Sequence, residues 1–267
     1  MDKSILYQGK KISYSIKGNG EPLVFLHGYL EYKEIWKEFT KYFENKYTIL
    51  CIDLPGHGKS DTISPLVSMK EMARITKLII NTNSLEKVIL IGHSMGGYIS
   101  LAFANLFPEK LSGLILFSSS ALNDSTEKKI ARNRDINLIE DGKKDLVINN
   151  NIPNMFANRN INTFSSTIEH IKEIAKNMSN ESIISALKGM KDRINHSKLL
   201  QESDFPKLFI AGKYDKLIQI DISKQQTQNC KNLKFEILES SGHMGYIEEE
   251  EKSAKIILDF ISNLDIK

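Results

Sequence analysis

Apolar runs recur along the chain at intervals that suit strands alternating with helices: ILY and ISYSI, then PLVFLHG, YTILCIDL, KVILIGHS, LSGLILFSS, FPKLFIAG and LKFEILE. Gln8-Gly9-Lys10 between the first two reads as a hairpin turn. The central runs are continuously apolar, as expected for parallel strands covered on both faces. Between the runs, KEIWKEFTKYFEN, SMKEMARITKLIINTN, MGGYISLAFANLF, DISKQQTQ and YIEEEEKSAKIILDFISN carry apolar residues at three- or four-residue steps and predict helices. This alternation is an α/β pattern.

The alternation stops over residues 121–200, where four polar, amphipathic helical stretches follow one another with no strand-like run. The expected organisation is therefore a core of residues 1–120 and 201–267 carrying an inserted helical cap, or lid, of residues 121–200. The insertion holds 13 basic and 10 acidic residues, an excess too small to read as more than a solvated face. Met155, Phe156, Phe164 and Met178 are its candidates for an apolar wall over a substrate.

Composition changes this picture little. At 267 residues, 41% hydrophobic and 26% charged with a net charge of +3, the chain is an ordinary globular protein. Only 5 of its 36 basic residues are Arg and they are scattered, which argues against nucleic acid as a partner. Cys51 and Cys230 make neither a disulfide framework nor a zinc spacing, and no metal is expected. The N-terminal MDKSILYQGKKISYSIKGNG lacks the apolar core of a secretory signal, and no stretch approaches the roughly 18 apolar residues of a spanning helix, so the expectation is a cytoplasmic protein without a membrane partner.

Chemistry concentrates in VILIGHSMGG, where a strand runs into Gly92-His93-Ser94-Met95-Gly96 and then into a helix. A sharp strand-to-helix turn of this G-x-S-x-G type presents a serine hydroxyl, and flanking glycines let the chain pack there. Serine is a weak nucleophile unless a base takes its proton, and that base must be held by a third group. LFIAGKYDKL places Asp215 just past one strand and FEILESSGHMGY places His243 just past the next. The order Ser94, Asp215, His243 is the nucleophile, acid, histidine order of this turn type, and each residue follows the carboxyl end of a strand.

Other candidates fit other roles. His170 and His196 lie in the insertion, with solvated surface as the default; His93 sits inside the turn and should be buried; His27 and His57 suit loop organisation. Asp221 reads as a helix N-cap, and Asp53 comes too early in the chain for the acid. Acyl transfer also needs donors for a developing oxyanion. Those expected are the backbone N–H of Met95, directly after the nucleophile, and that of Tyr29 in His27-Gly28-Tyr29, after the PLVFL strand.

With these residues in view, the sequence resembles the α/β-hydrolase fold superfamily with a helical cap. FLHGY resembles its oxyanion loop, DLPGHGKS its glycine-rich loop, GHSMGG its nucleophile elbow, GKYD its acid loop and SGHM its histidine loop. The resemblance implies a mostly parallel eight-stranded sheet flanked by helices and gives Asp53, Pro55, Gly56, Gly58 and Ser60 a structural role. Haloalkane dehalogenases and epoxide hydrolases of this fold carry aspartate where this chain has Ser94, and the menaquinone-pathway synthase usually carries an arginine shortly after its elbow, whereas Tyr98 follows the two glycines here.

The expectation is a cofactor-free serine hydrolase acting on small to medium carboxylic esters. Two alternatives stay open: a carbon–carbon bond hydrolase with the same three residues, and a slow-turnover ligand-binding signalling protein of the RsbQ type. Oligomeric state is not readable.

Overall fold

The protein is described here by a computed structural model covering residues 2–264. Its strands are β1 (Asp2–Tyr7), β2 (Lys10–Lys17), β3 (Pro22–Leu26), β4 (Thr48–Ile52), β5 (Val88–His93), β6 (Leu111–Phe117), β7 (Lys207–Gly212) and β8 (Leu233–Leu238). They form one eight-stranded sheet in the order β1-β2-β4-β3-β5-β6-β7-β8. β2 pairs antiparallel with β1 and β4, and the other neighbours are parallel. Every residue of β5 and β7 is buried, which accounts for the apolar runs VILIG and LFIAG within them. The chain steps from β3 outward to β4 and then back past β3 to β5, so the switch point of the sheet lies between β3 and β5. Open α/β sheets bind ligands beyond the strand ends at such a point.

The helices are α1 (Met69–Thr82), α2 (Met95–Leu106), α3 (Thr126–Glu140), α4 (Lys144–Asn154), α5 (Ser165–Asn177), α6 (Asn180–Lys191), α7 (Ser197–Glu202), α8 (Ile220–Thr227), α9 (Gly245–Glu248) and α10 (Glu250–Ser262). Three of them start on a serine whose Oγ accepts a backbone N–H of the first turn: Ser68 for α1, Ser125 for α3 and Ser179 for α6. α2 packs on β3, β5 and β6 and against α1, while α8 packs on β7 and β8. Between β6 and β7, α3 packs on α4 and α6, and α4 on α5. α7 packs instead on α2 and α8, so the expected boundary at residue 200 falls inside a helix attached to the sheet's own helices.

Two expected helices differ. KEIWKEFTKYFEN forms two 3₁₀ turns, Lys33–Trp36 and Phe39–Tyr42, in place of one α-helix. Its start is pinned by Lys33, whose N–H and Nζ both donate to the buried Asp53 carboxylate, at 2.8 and 2.9 Å. Trp36, Phe39 and Phe43 are all buried, and packing overrides the α-helical period. The C-terminal stretch breaks at Glu249 (φ −134°, ψ 58°), separating α9 from α10. There the Glu249 carboxylate accepts the Ser240 N–H and the Ser241 hydroxyl, holding the loop before α9. The first hairpin turns on Gln8-Gly9, both at positive φ, with Lys10 already in β2.

Candidate active site

β5 ends at His93 and α2 begins at Met95, leaving Ser94 alone to reverse the chain. Its φ of 50° and ψ of −111° lie where L residues rarely go. A Cβ on Gly92 would stand 2.5 Å from the Gly96 carbonyl oxygen, and one on Gly96 would stand 2.1 Å from that of Leu26, so both positions require glycine. The turn is pinned by the Ser94 N–H donating to the Phe117 carbonyl (3.0 Å) and by the Ser119 hydroxyl donating to the Ser94 carbonyl (2.8 Å). Ser94 is half-buried at the positive end of α2 and lines a cavity of about 190 Å³.

His243 lines the same cavity. Its Nδ1 is 2.7 Å from Oδ2 of Asp215, and both side chains are buried. The other oxygen of Asp215 accepts the N–H groups of Leu217 (2.8 Å) and Ile218 (2.9 Å), fixing the carboxylate plane. His243 Nε2 is buried and hydrogen-bonds to no described group.

The histidine loop is tied to the inserted helices. The N–H groups of His243 and Met244 both donate to the Met155 carbonyl, at 2.7 and 3.2 Å. Glu248 accepts the Gly242 N–H on one oxygen and the Ala157 N–H and Asn160 amide on the other, at 2.8, 2.9 and 2.7 Å.

The backbone N–H groups of Tyr29 and Met95 donate to no group among the described residues. Tyr29 also lines the cavity; its buried hydroxyl has no partner, and burial, with Asp135 nearby, pushes the phenol above its ordinary value. Below this loop Glu31 is wholly buried, accepting the Gly28 N–H (2.6 Å) and standing 3.0 Å from His93 Nδ1. Burial would raise the Glu31 carboxyl, but the His93 ring and the Gly28 N–H outweigh it and hold it below its ordinary value.

His27 accepts the Leu54 N–H on Nε2 (3.0 Å), so Nδ1 carries the proton and donates to the Gly28 carbonyl (2.8 Å). Burial lowers its pKa, and burial together with neighbouring His27 pushes His57 down to about 3. Both are neutral loop organisers, as expected. His170 is exposed, but His196 is buried, a correction to the surface expectation: it opens α7, which packs on α2. Asp221 lies in the first turn of α8, whose N-cap is Gln219.

Of the four expected cap residues only Met155 lines the cavity, drawn there by its carbonyl's bonds to the histidine loop. Phe156 is buried beside Phe164, ring centroids 6.0 Å apart; Phe164 borders a separate groove with Tyr246; Met178 packs in the core. The remaining wall comes from residues the sequence did not single out for this role, among them Tyr98, Arg132, Asp135, Asn151, Met190 and Leu217. Tyr98 carried a signal, since it lies one helical turn after Ser94.

Among the described residues, no group of three or more His, Cys, Asp or Glu side chains is placed to hold a metal ion, and no helix is long and apolar enough to cross a membrane. Cys51 and Cys230 are free thiols.

The sequence profile of the alpha/beta hydrolase fold matches residues 21–250. The chain belongs to the α/β-hydrolase family. This hydrolase is 26% identical to a 2-hydroxy-6-oxononadienedioate/2-hydroxy-6-oxononatrienedioate hydrolase of Paraburkholderia phymatum, over 94% of the chain and 91% of the relative. It is 29% identical to a pimeloyl-[acyl-carrier protein] methyl ester esterase of Wigglesworthia glossinidia brevipalpis, over 96% and 100%. Among solved structures, a thermophilic esterase from Thermogutta terrifontis superposes on the whole hydrolase with a TM-score of 0.93 at 24% identity, both chains covered at 100%. At that identity the likeness speaks for the fold.

Proposed function

We propose that this α/β-hydrolase is a serine esterase of small to medium carboxylic esters, with the inserted helices α3 to α6 as its cap. The observation that carries the reading is the Asp215 to His243 bond of 2.7 Å, made beside a cavity that His243 shares with Ser94. In the first step the Ser94 oxygen attacks the ester carbonyl carbon while His243 Nε2 takes its proton. Asp215 holds Nδ1–H and stabilises the imidazolium. The N–H groups of Tyr29 and Met95 bind the oxyanion. The imidazolium then protonates the departing alkoxide, leaving Ser94 acylated. A water deprotonated by His243 attacks the acyl carbon, and collapse releases the acid and restores the serine. The bond from Ser94 to His243 belongs to the loaded site, where such contacts commonly tighten.

Ser94→Ala tests the assignment. It should abolish hydrolysis of p-nitrophenyl acetate and butyrate with the circular dichroism spectrum intact, and undiminished turnover would remove Ser94 from the mechanism.

The carbon–carbon hydrolase reading is supported by the similarity to the Paraburkholderia enzyme. A panel of esters against vinylogous diketones separates the two, because only the ester reading expects turnover confined to the first group.

A further inference from the structure

Behind Tyr98 lies a second cavity of about 250 Å³. Its apolar wall comes from Met69 of α1, Leu101, Ala102 and Leu106 of α2, and Ile194 after α6, while Lys70, Asn105, Asp192, Arg193 and His196 place polar groups on its border. Tyr98 lines this cavity and also the one that holds Ser94 and His243. α6 borders both, presenting Leu187 and Met190 to the catalytic side and Gly189 to the other. The two spaces are thus neighbours across one buried aromatic ring.

That ring is held. The Arg193 guanidinium stands 4.0 Å from its centroid, and Arg193 is itself fixed by bonds to the Asp124 carboxylate (2.5 Å), the Met190 carbonyl (2.9 Å) and the Leu122 carbonyl (3.1 Å). The catalytic cavity alone, at about 190 Å³, is smaller than the usual ligand pocket of about 300 Å³ or more, whereas the two joined would reach that range.

We infer that the second cavity is the far chamber of the substrate pocket, shaped for an apolar acyl chain, and that Tyr98 is the gate that sets how long that chain is. This rests on the serine esterase reading above. Orientation follows from the chemistry: the departing alkoxide must lie next to His243. Met155 and Ile218, which are bonded to the His243 and Asp215 loops, line that side of the cavity. The acyl arm is therefore directed toward Tyr98.

The test is a series of p-nitrophenyl esters from acetate to decanoate, with wild type, Tyr98→Ala, Tyr98→Leu and Tyr98→Phe. Each methylene accommodated in an apolar pocket is worth about tenfold or more in kcat/KM. The octanoate-to-acetate ratio of kcat/KM should therefore rise at least about tenfold in Tyr98→Ala, rise less in Tyr98→Leu and not rise in Tyr98→Phe, which keeps the ring. Adding Ala102→Leu, which puts methyl groups into the far chamber, should cancel the gain. Acetates of lengthening alcohols should show no such gain.

If Tyr98→Ala fails to fold, Tyr98→Leu carries the measurement. A folded variant with the wild-type ratio, a gain that survives Ala102→Leu, or an equal gain on the alcohol side overturns the chamber. Wild-type protein inert toward every ester overturns the esterase reading and the chamber with it, whereas an active wild type with an unmoved profile overturns the chamber alone.

Discussion

The Glu31 carboxylate lies 3.0 Å from Nδ1 of His93, and neither side chain reaches solvent. The same carboxylate accepts the Gly28 N–H, and the other ring nitrogen of His93 faces the His243 carbonyl at 3.1 Å. One buried pair thus joins the loop after β3, the turn after β5 and the loop after β8, which carry Tyr29, Ser94 and His243. Burying a carboxylate costs several kcal/mol, which the Gly28 N–H and the His93 ring beside it offset in part.

Glu31→Gln keeps the shape and removes the charge. It should lower unfolding free energy by about 3 kcal/mol near neutral pH, measured by urea denaturation. Because the folded Glu31 carboxyl sits below its ordinary value, its contribution is full above the unfolded value of about 4.3 and disappears as pH falls through the folded value. Wild type should lose stability more steeply than the variant in that acid window; parallel curves would show that the pair contributes nothing there.

Ser94 bears backbone strain that glycine would not. Ser94→Gly should therefore unfold at higher urea than Ser94→Ala, by about 1 kcal/mol, although both lack the hydroxyl. Equal midpoints would mean that the turn relaxes around alanine.

Glu248 fastens Ala157 and Asn160 to Gly242, next to His243. Glu248→Ala leaves buried N–H donors without their acceptor and loosens the register between inserted helices and histidine loop. We expect kcat/KM to fall about tenfold, in line with a misplacement of an ångström or less, together with faster tryptic cleavage between β6 and β7. Wild-type cleavage rates would count against that linkage.

His57 is buried and neutral, its pKa pushed down to about 3. The unfolded chain binds a proton there below about pH 6.5 while the folded chain does not, so His57 makes stability fall as pH drops from 6.5. His57→Gln should flatten the stability curve from pH 6.5 to 4 by up to about 1.4 kcal/mol per pH unit, the slope for one proton. An unchanged slope would assign the loss to other groups.

What was legible in the sequence came from short-range signals. Runs such as VILIG must be buried on both faces wherever they stand, and Gly92 and Gly96 frame a turn whose crowding is local. Those signals sufficed to place Ser94, Asp215 and His243 at strand ends. Tertiary structure decided what depends on segments distant in the chain. Glu31 and His93 are 62 positions apart and pair only once β3 and β5 are neighbours. Lys33 and the aromatics after it give up an α-helix to reach Asp53 and the core. Phe156 and Met178, no less apolar than Met155, turn away from the cavity because the Met155 carbonyl is the one bound to the His243 loop. Apolar character says that a side chain leaves water; which wall it joins is set by the backbone bonds that folding brings together.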